Sequence, residues 1–168
     1  AKKCGKGCGT SSREPSKNRE GVCAVFLSVG TDIEEIARFE PILKNHRMMK
    51  RCFSNAERAY FETRGAGAAE SAAAAYCAKE AFGKAVGTGI TIKMLGELEV
   101  LHDEAGMPFL KLHGKLAEQY ASLRLSVSLS HSANYATATV LAYCESDETT
   151  SESSGSTGGD GYADPTCG

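Results

Sequence analysis

The sequence predicts an α+β domain, with helices and antiparallel strands held in separate stretches of the chain. Three observations lead there. An apolar, β-branched run, VCAVFLSVGTDI, stands near the start, and two alternating or β-rich runs, RLSVSLSHS and YATATVLAYC, stand near the end. Between them, the stretch from about Ala68 to Val86 has the alanine content of a long helix. Strands and helices do not alternate one for one, as a repeating βαβ sheet requires.

Taken in order, the first run reads as a strand that closes at Gly30-Thr31-Asp32. EEIARFEPILKNHRMMKRCF has helical spacing, interrupted or restarted at Pro41. SNAERAYFE opens with Ser54 as N-cap and has Glu57 three residues on, the spacing of a capping box. The alanine-rich helix ends at Gly87 and Gly89. GELEVLHDEAGMPFLKLHG predicts two strands around a turn at Glu104-Ala105-Gly106, and GKLAEQYASL a short helix. The last two strands join at Ser132-Ala133-Asn134.

Charge divides the chain of 168 residues into three. Residues 1–20 carry six Lys or Arg against Glu14 and Glu20, while residues 145–168 carry six acids and no base. With a net charge of −2 for the whole, the middle is neutral. Both ends hold few large apolar residues and much Ser, Gly and Thr, too little to offset their ordering entropy. The expected organisation is a disordered basic tail over 1–22, a domain over 23–144 and a disordered acidic tail over 145–168. No run reaches the ~18 apolar residues of a membrane span. The start lacks the apolar core of a secretory signal, so a cytoplasmic protein is expected. The alternative is an organelle of the plastid type, if this basic, Ser-containing tail belongs to a transit peptide. The seven cysteines form no framework: Cys23, Cys52, Cys77 and Cys144 lie far apart, and Cys4-x3-Cys8 is half of a metal site without a second half. Reduced, small thiols are the expectation.

Three features carry possible chemistry. On a helix, Tyr76, Glu80 and Lys84 fall at i, i+4 and i+8, hence on one stripe. Such a stripe is either a solvated charged face or the wall of a site, and the small residues around it allow a bulky group close to the backbone. The Gly87-Thr88-Gly89 exit offers backbone N–H groups suited to phosphate oxygens. Asp32 is either an N-cap for a following helix or a ligand for a hard cation. Asp32 with Glu80 would make the carboxylate pair of a magnesium site. In SVSLSHS, alternation places Ser126, Ser128, Ser130 and Ser132 on one face and His131 on the other, at a strand end. His131 there is either a packed core histidine or a ligand-facing one.

The order of VGTDIEEIARFE, CFSNAERAYF, YCAKEAFGKAVGTGI, LEVLHDEAGMPFLKLHG and SVSLSHSANYATATVLA closely resembles the holo-acyl-carrier-protein synthases, the short type of 4′-phosphopantetheinyl transferase. The resemblance runs from about Val25 to Ala142. It implies that fold, a small antiparallel sheet packed with the long alanine-rich helix and shorter helices. The implied activity is transfer of the phosphopantetheine arm of coenzyme A to a serine of apo acyl carrier protein, releasing adenosine 3′,5′-bisphosphate. A homotrimer with active sites at subunit boundaries is implied as well. Carried over by motif, Asp32 and Glu80 would hold Mg2+ and Lys84 would neutralise phosphate charge. Lys79, Gly87, Thr88 and Gly89 would help hold coenzyme A. His131, catalytic in this scheme, would face the phosphates with Ser130 near it. Ala75, where the family commonly has Arg, and Ser132-Ala133-Asn134, where it often has acids, depart from the pattern.

Partner choice is read in Arg38, Lys44, Arg47, Lys50 and Arg51, five bases against Glu40 alone. The strip is either a solvated face or a docking surface for an acidic carrier protein. A neutral domain without a binding motif gives no reason to expect nucleic acid.

Overall fold

The computed structural model describes residues 27–144, so the expectations for the two tails and for residues 23–26 fall outside it. A three-stranded antiparallel sheet and one long helix make its centre. Strands β1 (Leu27–Glu35), β4 (Arg124–His131) and β5 (Tyr135–Tyr143) lie in the order β1-β5-β4. A separate hairpin pairs β2 (Leu98–His102) with β3 (Pro108–Leu112). The mixture of helices and antiparallel strands is the one expected from the sequence.

The first strand departs from expectation in length. β1 does not close at Asp32; it runs on to Glu35, and Asp32 lies opposite Ala138 within a nine-residue ladder. The Gly-Thr-Asp sequence resembles a turn, but pairing along the whole of β5 keeps it extended. Asp32 is therefore no N-cap. After a 3-10 turn, α1 (Phe39–Lys44) and α2 (His46–Cys52) are separated at Asn45, not at Pro41. Pro41 sits in the first turn of α1, where a missing N–H removes no helical bond. Asn45 ends one helix and caps the next, accepting from the Met48 N–H.

Helix α3 (Asn55–Thr63) carries the capping box read from the sequence. The Glu57 N–H donates to Ser54 Oγ at 3.2 Å and the Ser54 N–H donates to Glu57 Oε2 at 2.7 Å. Helix α4 (Ala68–Ala85) has the predicted extent, and Gly87 (φ 76°) and Gly89 (φ 66°) end it in left-handed conformations. Helix α5 (Ile92–Glu97), capped by Thr91, was not foreseen, and α6 (Gly114–Gln119) is shorter than its predicted stretch. The β2–β3 turn forms as expected around Asp103, whose carboxylate accepts the Ala105 and Met107 N–H groups.

Small side chains set the spacing of the core. Ala72, Ala73, Cys77, Ala78 and Ala81 of α4 are fully buried, and on the sheet Ala136, Ala138, Val140 and Ala142 are buried with them. With little bulk between them, helix and sheet backbones approach closely. The approach is tightest at Gly30, where an added Cβ would lie 2.0 Å from the Ala81 carbonyl oxygen and 2.5 Å from the Ala85 nitrogen. Both are backbone atoms that no rotamer change can move. Gly30→Ala should therefore destabilise the domain by at least the ~1–3 kcal/mol typical of overpacking. Urea unfolding measures this; wild-type stability would mean that α4 sits farther from β1.

Among the described residues nothing covers the outer face of the sheet in this way. Leu27, Val29 and Ile33 of β1 are 65%, 62% and 64% exposed, and Tyr135 joins them at 46%. Among the described residues no helix is long and apolar enough to cross a membrane.

Candidate functional site

Asp32 points from the inner face of β1 toward the last turn of α4. There the Lys84 ammonium donates to Asp32 Oδ1 at 2.7 Å and to the Thr31 carbonyl at 2.9 Å. The bond from Lys84 to Asp32 raises the lysine pKa above its ordinary value, so Lys84 stays charged. The second carboxylate oxygen, Oδ2, is buried and accepts no hydrogen bond from the described residues. A buried oxygen without a donor is uncommon and asks for an explanation.

Glu80 lies one turn before Lys84, half-buried on the same stripe. The Tyr76 phenol beside it is pushed up to about 12, first by burial and then by the Glu80 charge. Glu34, two residues beyond Asp32 and on the same side of β1, adds a carboxyl group that the sequence reading missed. Burial pushes the Glu34 pKa up; Arg38, which donates to it, pulls it down, and Asp32 and Glu80 push it up again. The signal for Glu34 was alternation at i+2, visible only once β1 is known to continue. Cys77 lies beneath Asp32, its thiol pushed up to about 12, first by burial and then by the Asp32 and Glu34 charges. Its thiol donates to the Ala136 carbonyl at 3.3 Å, and a thiol held protonated in this way is a poor metal ligand.

The donor set fits magnesium. Oδ2 of Asp32 is an unpartnered hard oxygen with the Glu80 carboxylate nearby, and Mg2+ takes one or two protein carboxylates and fills its shell with water and phosphate oxygens. Among the described residues no group of three or more His, Cys, Asp or Glu could hold a metal, which excludes an all-protein cage.

Two expectations for coenzyme A binding need correction. Lys79 does not face a ligand: it is fully buried, and its ammonium donates to Glu57 Oε2 at 2.9 Å, the Cys52 carbonyl at 2.9 Å and the Leu95 carbonyl at 3.2 Å. Burial lowers its pKa, with Glu57 opposing that shift. The N–H groups of the Gly87-Thr88-Gly89 exit are also taken. Gly87 donates to the Lys84 carbonyl, and Thr88 and Gly89 donate to the Gly83 carbonyl at 3.1 and 3.0 Å. A Cβ at residue 83 would come within 2.7 Å of the Gly89 oxygen, so it is Gly83 that lets this turn fold back. What the turn offers a ligand is an exposed surface beside Lys84, with two glycines and the Thr88 side chain, not free amides.

His131 lies elsewhere. Its Nδ1 is 3.9 Å from Glu70 Oε2, near the start of α4, beside a cavity of about 150 Å3 lined by Tyr60, Arg64, Ala75 and His102. His102 stacks on Tyr60 with ring centroids 4.3 Å apart, and burial, followed by the Arg64 charge, lowers its pKa. Glu70 and Lys84 are fourteen residues apart, about 21 Å along the helix at 1.5 Å each. Within one chain, His131 and the Asp32–Lys84 pair do not meet. Ser130 is exposed on the outer face of β4, so it does not share His131's side of the strand.

Of the basic strip, Arg38 is drawn to Glu34, next to Asp32. Lys44, Arg47, Lys50 and Arg51 are exposed. Lys50 and Arg51 border a cavity of about 280 Å3 together with Arg58, a base the sequence reading did not include.

A small α+β domain with an acid pair and a lysine at one end of its long helix is the architecture of the phosphopantetheinyl transferases. The family described as the 4′-phosphopantetheinyl transferase superfamily matches residues 28–140. A holo-[acyl-carrier-protein] synthase of Treponema denticola is 36% identical over 120 residues, 70% of this chain and 98% of that protein. One of Ruminiclostridium cellulolyticum is 42% identical over 118 residues, 67% of this chain and 88% of that protein. Among solved structures, a holo-(acyl-carrier-protein) synthase from Bacillus anthracis in complex with CoA (3′,5′-ADP) superposes with a TM-score of 0.62 at 31% identity. That match covers 73% of this chain and all of the other. The chain belongs to the 4′-phosphopantetheinyl transferase superfamily, in its holo-[acyl-carrier-protein] synthase family.

Proposed function

We propose that this protein transfers the 4′-phosphopantetheine group of coenzyme A to a serine of an apo acyl carrier protein in a Mg2+-dependent reaction. The products are holo carrier protein and adenosine 3′,5′-bisphosphate, and the setting is fatty acid biosynthesis in the cytoplasm. The observation that carries the reading is the buried, unpartnered Oδ2 of Asp32, a carboxylate that acts on Lys84 together with Glu80. An unpartnered carboxylate oxygen beside a lysine and a second acid suits a metal-bound pyrophosphate better than a neutral substrate.

Asp32 and Glu80 would hold Mg2+, which when bound neutralises pyrophosphate charge as a Lewis acid. In the reaction the serine oxygen forms a bond to the pantetheine-bearing phosphorus, and the bond from that phosphorus to the bridging oxygen breaks. The electron pair leaves with adenosine 3′,5′-bisphosphate. Lys84, kept charged by Asp32, lies where charge develops on the leaving phosphate. The serine proton passes to Glu80 or to water in the site. The distance of His131 from Lys84 along α4 supports a site completed by a second subunit, hence the homotrimer. The exposed bases Lys44, Arg47, Lys50 and Arg51 suit an acidic carrier.

The test is mass spectrometry of apo carrier incubated with coenzyme A, Mg2+ and the protein. The carrier should gain one phosphopantetheine, and at subsaturating carrier the rate should fall as salt shortens the Debye length from ~10 Å at 0.1 M to ~3 Å at 1 M. Unmodified carrier, with coenzyme A still bound by the protein, would identify a catalytically silent binding module instead.

A further inference from the structure

Lys79 stands beside Glu80 in the chain, yet it faces the opposite way, and its surroundings show what it does. An ammonium has three hydrogens. All three are used, on Glu57, on the carbonyl of Cys52 that ends α2, and on the carbonyl of Leu95 in α5. The two carbonyls belong to the last turns of short helices, where no intrahelical N–H reaches them. Glu57 is equally committed: Oε2 also accepts the Ser54 N–H, and Oε1 accepts the Val100 N–H of β2 at 3.0 Å. One buried ion pair thus joins α2, α3, α4, α5 and β2, with the Phe53 ring 5.5 Å from the ammonium.

We infer that Lys79 and Glu57 form a brace that fixes the basic helix α2 against the catalytic helix α4, so that Lys79 is a positioning residue for carrier docking and touches neither substrate. The inference rests on the function proposed above. α2 carries Arg47, Lys50 and Arg51, and its last carbonyl hangs on the residue that precedes Glu80. Removing the ammonium leaves two helix-end carbonyls without a donor and the buried Glu57 carboxylate without a cation to balance its charge. The easiest relief is for α2 to swing outward toward water, which moves the docking bases away from the site. The Asp32–Lys84 pair lies on another face of α4, against β1, and is spared.

The experiment compares wild type with Lys79→Met, Glu57→Gln and the double variant. Coenzyme A affinity is read by calorimetry, and both Michaelis constants by steady-state transfer. Lys79→Met should raise the carrier constant tenfold or more while coenzyme A affinity changes less than twofold. Glu57→Gln should shift the carrier constant in the same direction. The double variant should lose less than the product of the two single losses, because each acts through the other. A Lys79→Met protein that loses coenzyme A affinity tenfold with its carrier constant unchanged would overturn the inference. If Lys79→Met does not fold, Glu57→Gln decides alone: a raised carrier constant supports the brace and an unchanged one sinks it. A wild type that binds neither substrate sinks the functional reading and this inference with it. A wild type that binds both, matched by Glu57→Gln, sinks the inference alone.

Discussion

Asp32→Ala should abolish phosphopantetheine transfer while leaving the domain as stable as before, or more so. The carboxylate contributes little to the fold. Its Oδ1 pairs with a lysine whose side chain is half exposed, and such pairs are worth at most ~1 kcal/mol. Its Oδ2 is buried without a donor, which costs about 1–3 kcal/mol. Deleting the side chain removes both effects, and the second outweighs the first. Activity moves the other way, because one of two carboxylates then remains for Mg2+. The loss should exceed the 10–100-fold typical of changes to residues that only support metal ligands. Glu80→Ala should be as inactive but gain no stability, since Glu80 leaves no buried oxygen orphaned. Thermal unfolding and transfer at a series of Mg2+ concentrations measure both. Wild-type transfer at ordinary Mg2+ by either variant would remove that residue from the metal site, and a collapse of Asp32→Ala stability would refute the account of Oδ2.

On the homotrimer proposed above, replacing Val29 and Ile33 together by Glu should separate the subunits and lower activity with them. Both side chains stand on the outer face of β1 with Leu27, in the company of Tyr135. An apolar strand face that the described residues leave open suits a contact surface. Neither residue faces α4, so the Asp32–Lys84 geometry is untouched. Transfer should nonetheless fall about 100-fold, the scale on which misplaced substrate-holding groups act, because His131 and Lys84 belong to different ends of α4. Light scattering and the transfer assay are the paired measurements. A monomeric variant with full activity would defeat the shared site, and a wild type that is itself a monomer would defeat the trimer.

What the sequence disclosed was local. The Ser54–Glu57 box, the length of α4 and the β2–β3 turn each depend on residues within a few positions of one another, and each was legible. Asp32, Glu80 and Lys84 were singled out by residue type and by motif, and the structure brings Asp32 and Lys84 into contact. The errors lie where distant segments decide. Lys79 and Lys84 are both lysines of one helix; only the arrival of α2, α3 and α5 on one side and β1 on the other separates a buried brace from a site cation. The Thr88 and Gly89 amides looked free because nothing local shows that the absence of a side chain at Gly83 brings its carbonyl to them. Asp32 was taken for the end of a strand because the opposing nine residues of β5 lie a hundred positions away.

The close seat of Gly30 has one more consequence, for fidelity of folding. Among the described residues β1 pairs with β5 alone, so its register rests on one ladder and on the face it buries. A slip of one residue would turn every side chain of β1 over. It would bring Val29 or Thr31 to the place where even a single carbon meets the Ala81 carbonyl at 2.0 Å. It would also carry Asp32 and Glu34 to the outer face, and Ile33 under the helix. A chain with β1 out of register therefore cannot close α4 on the sheet. Molecules that achieve the core have, by the same contact, already placed the carboxylate opposite its lysine.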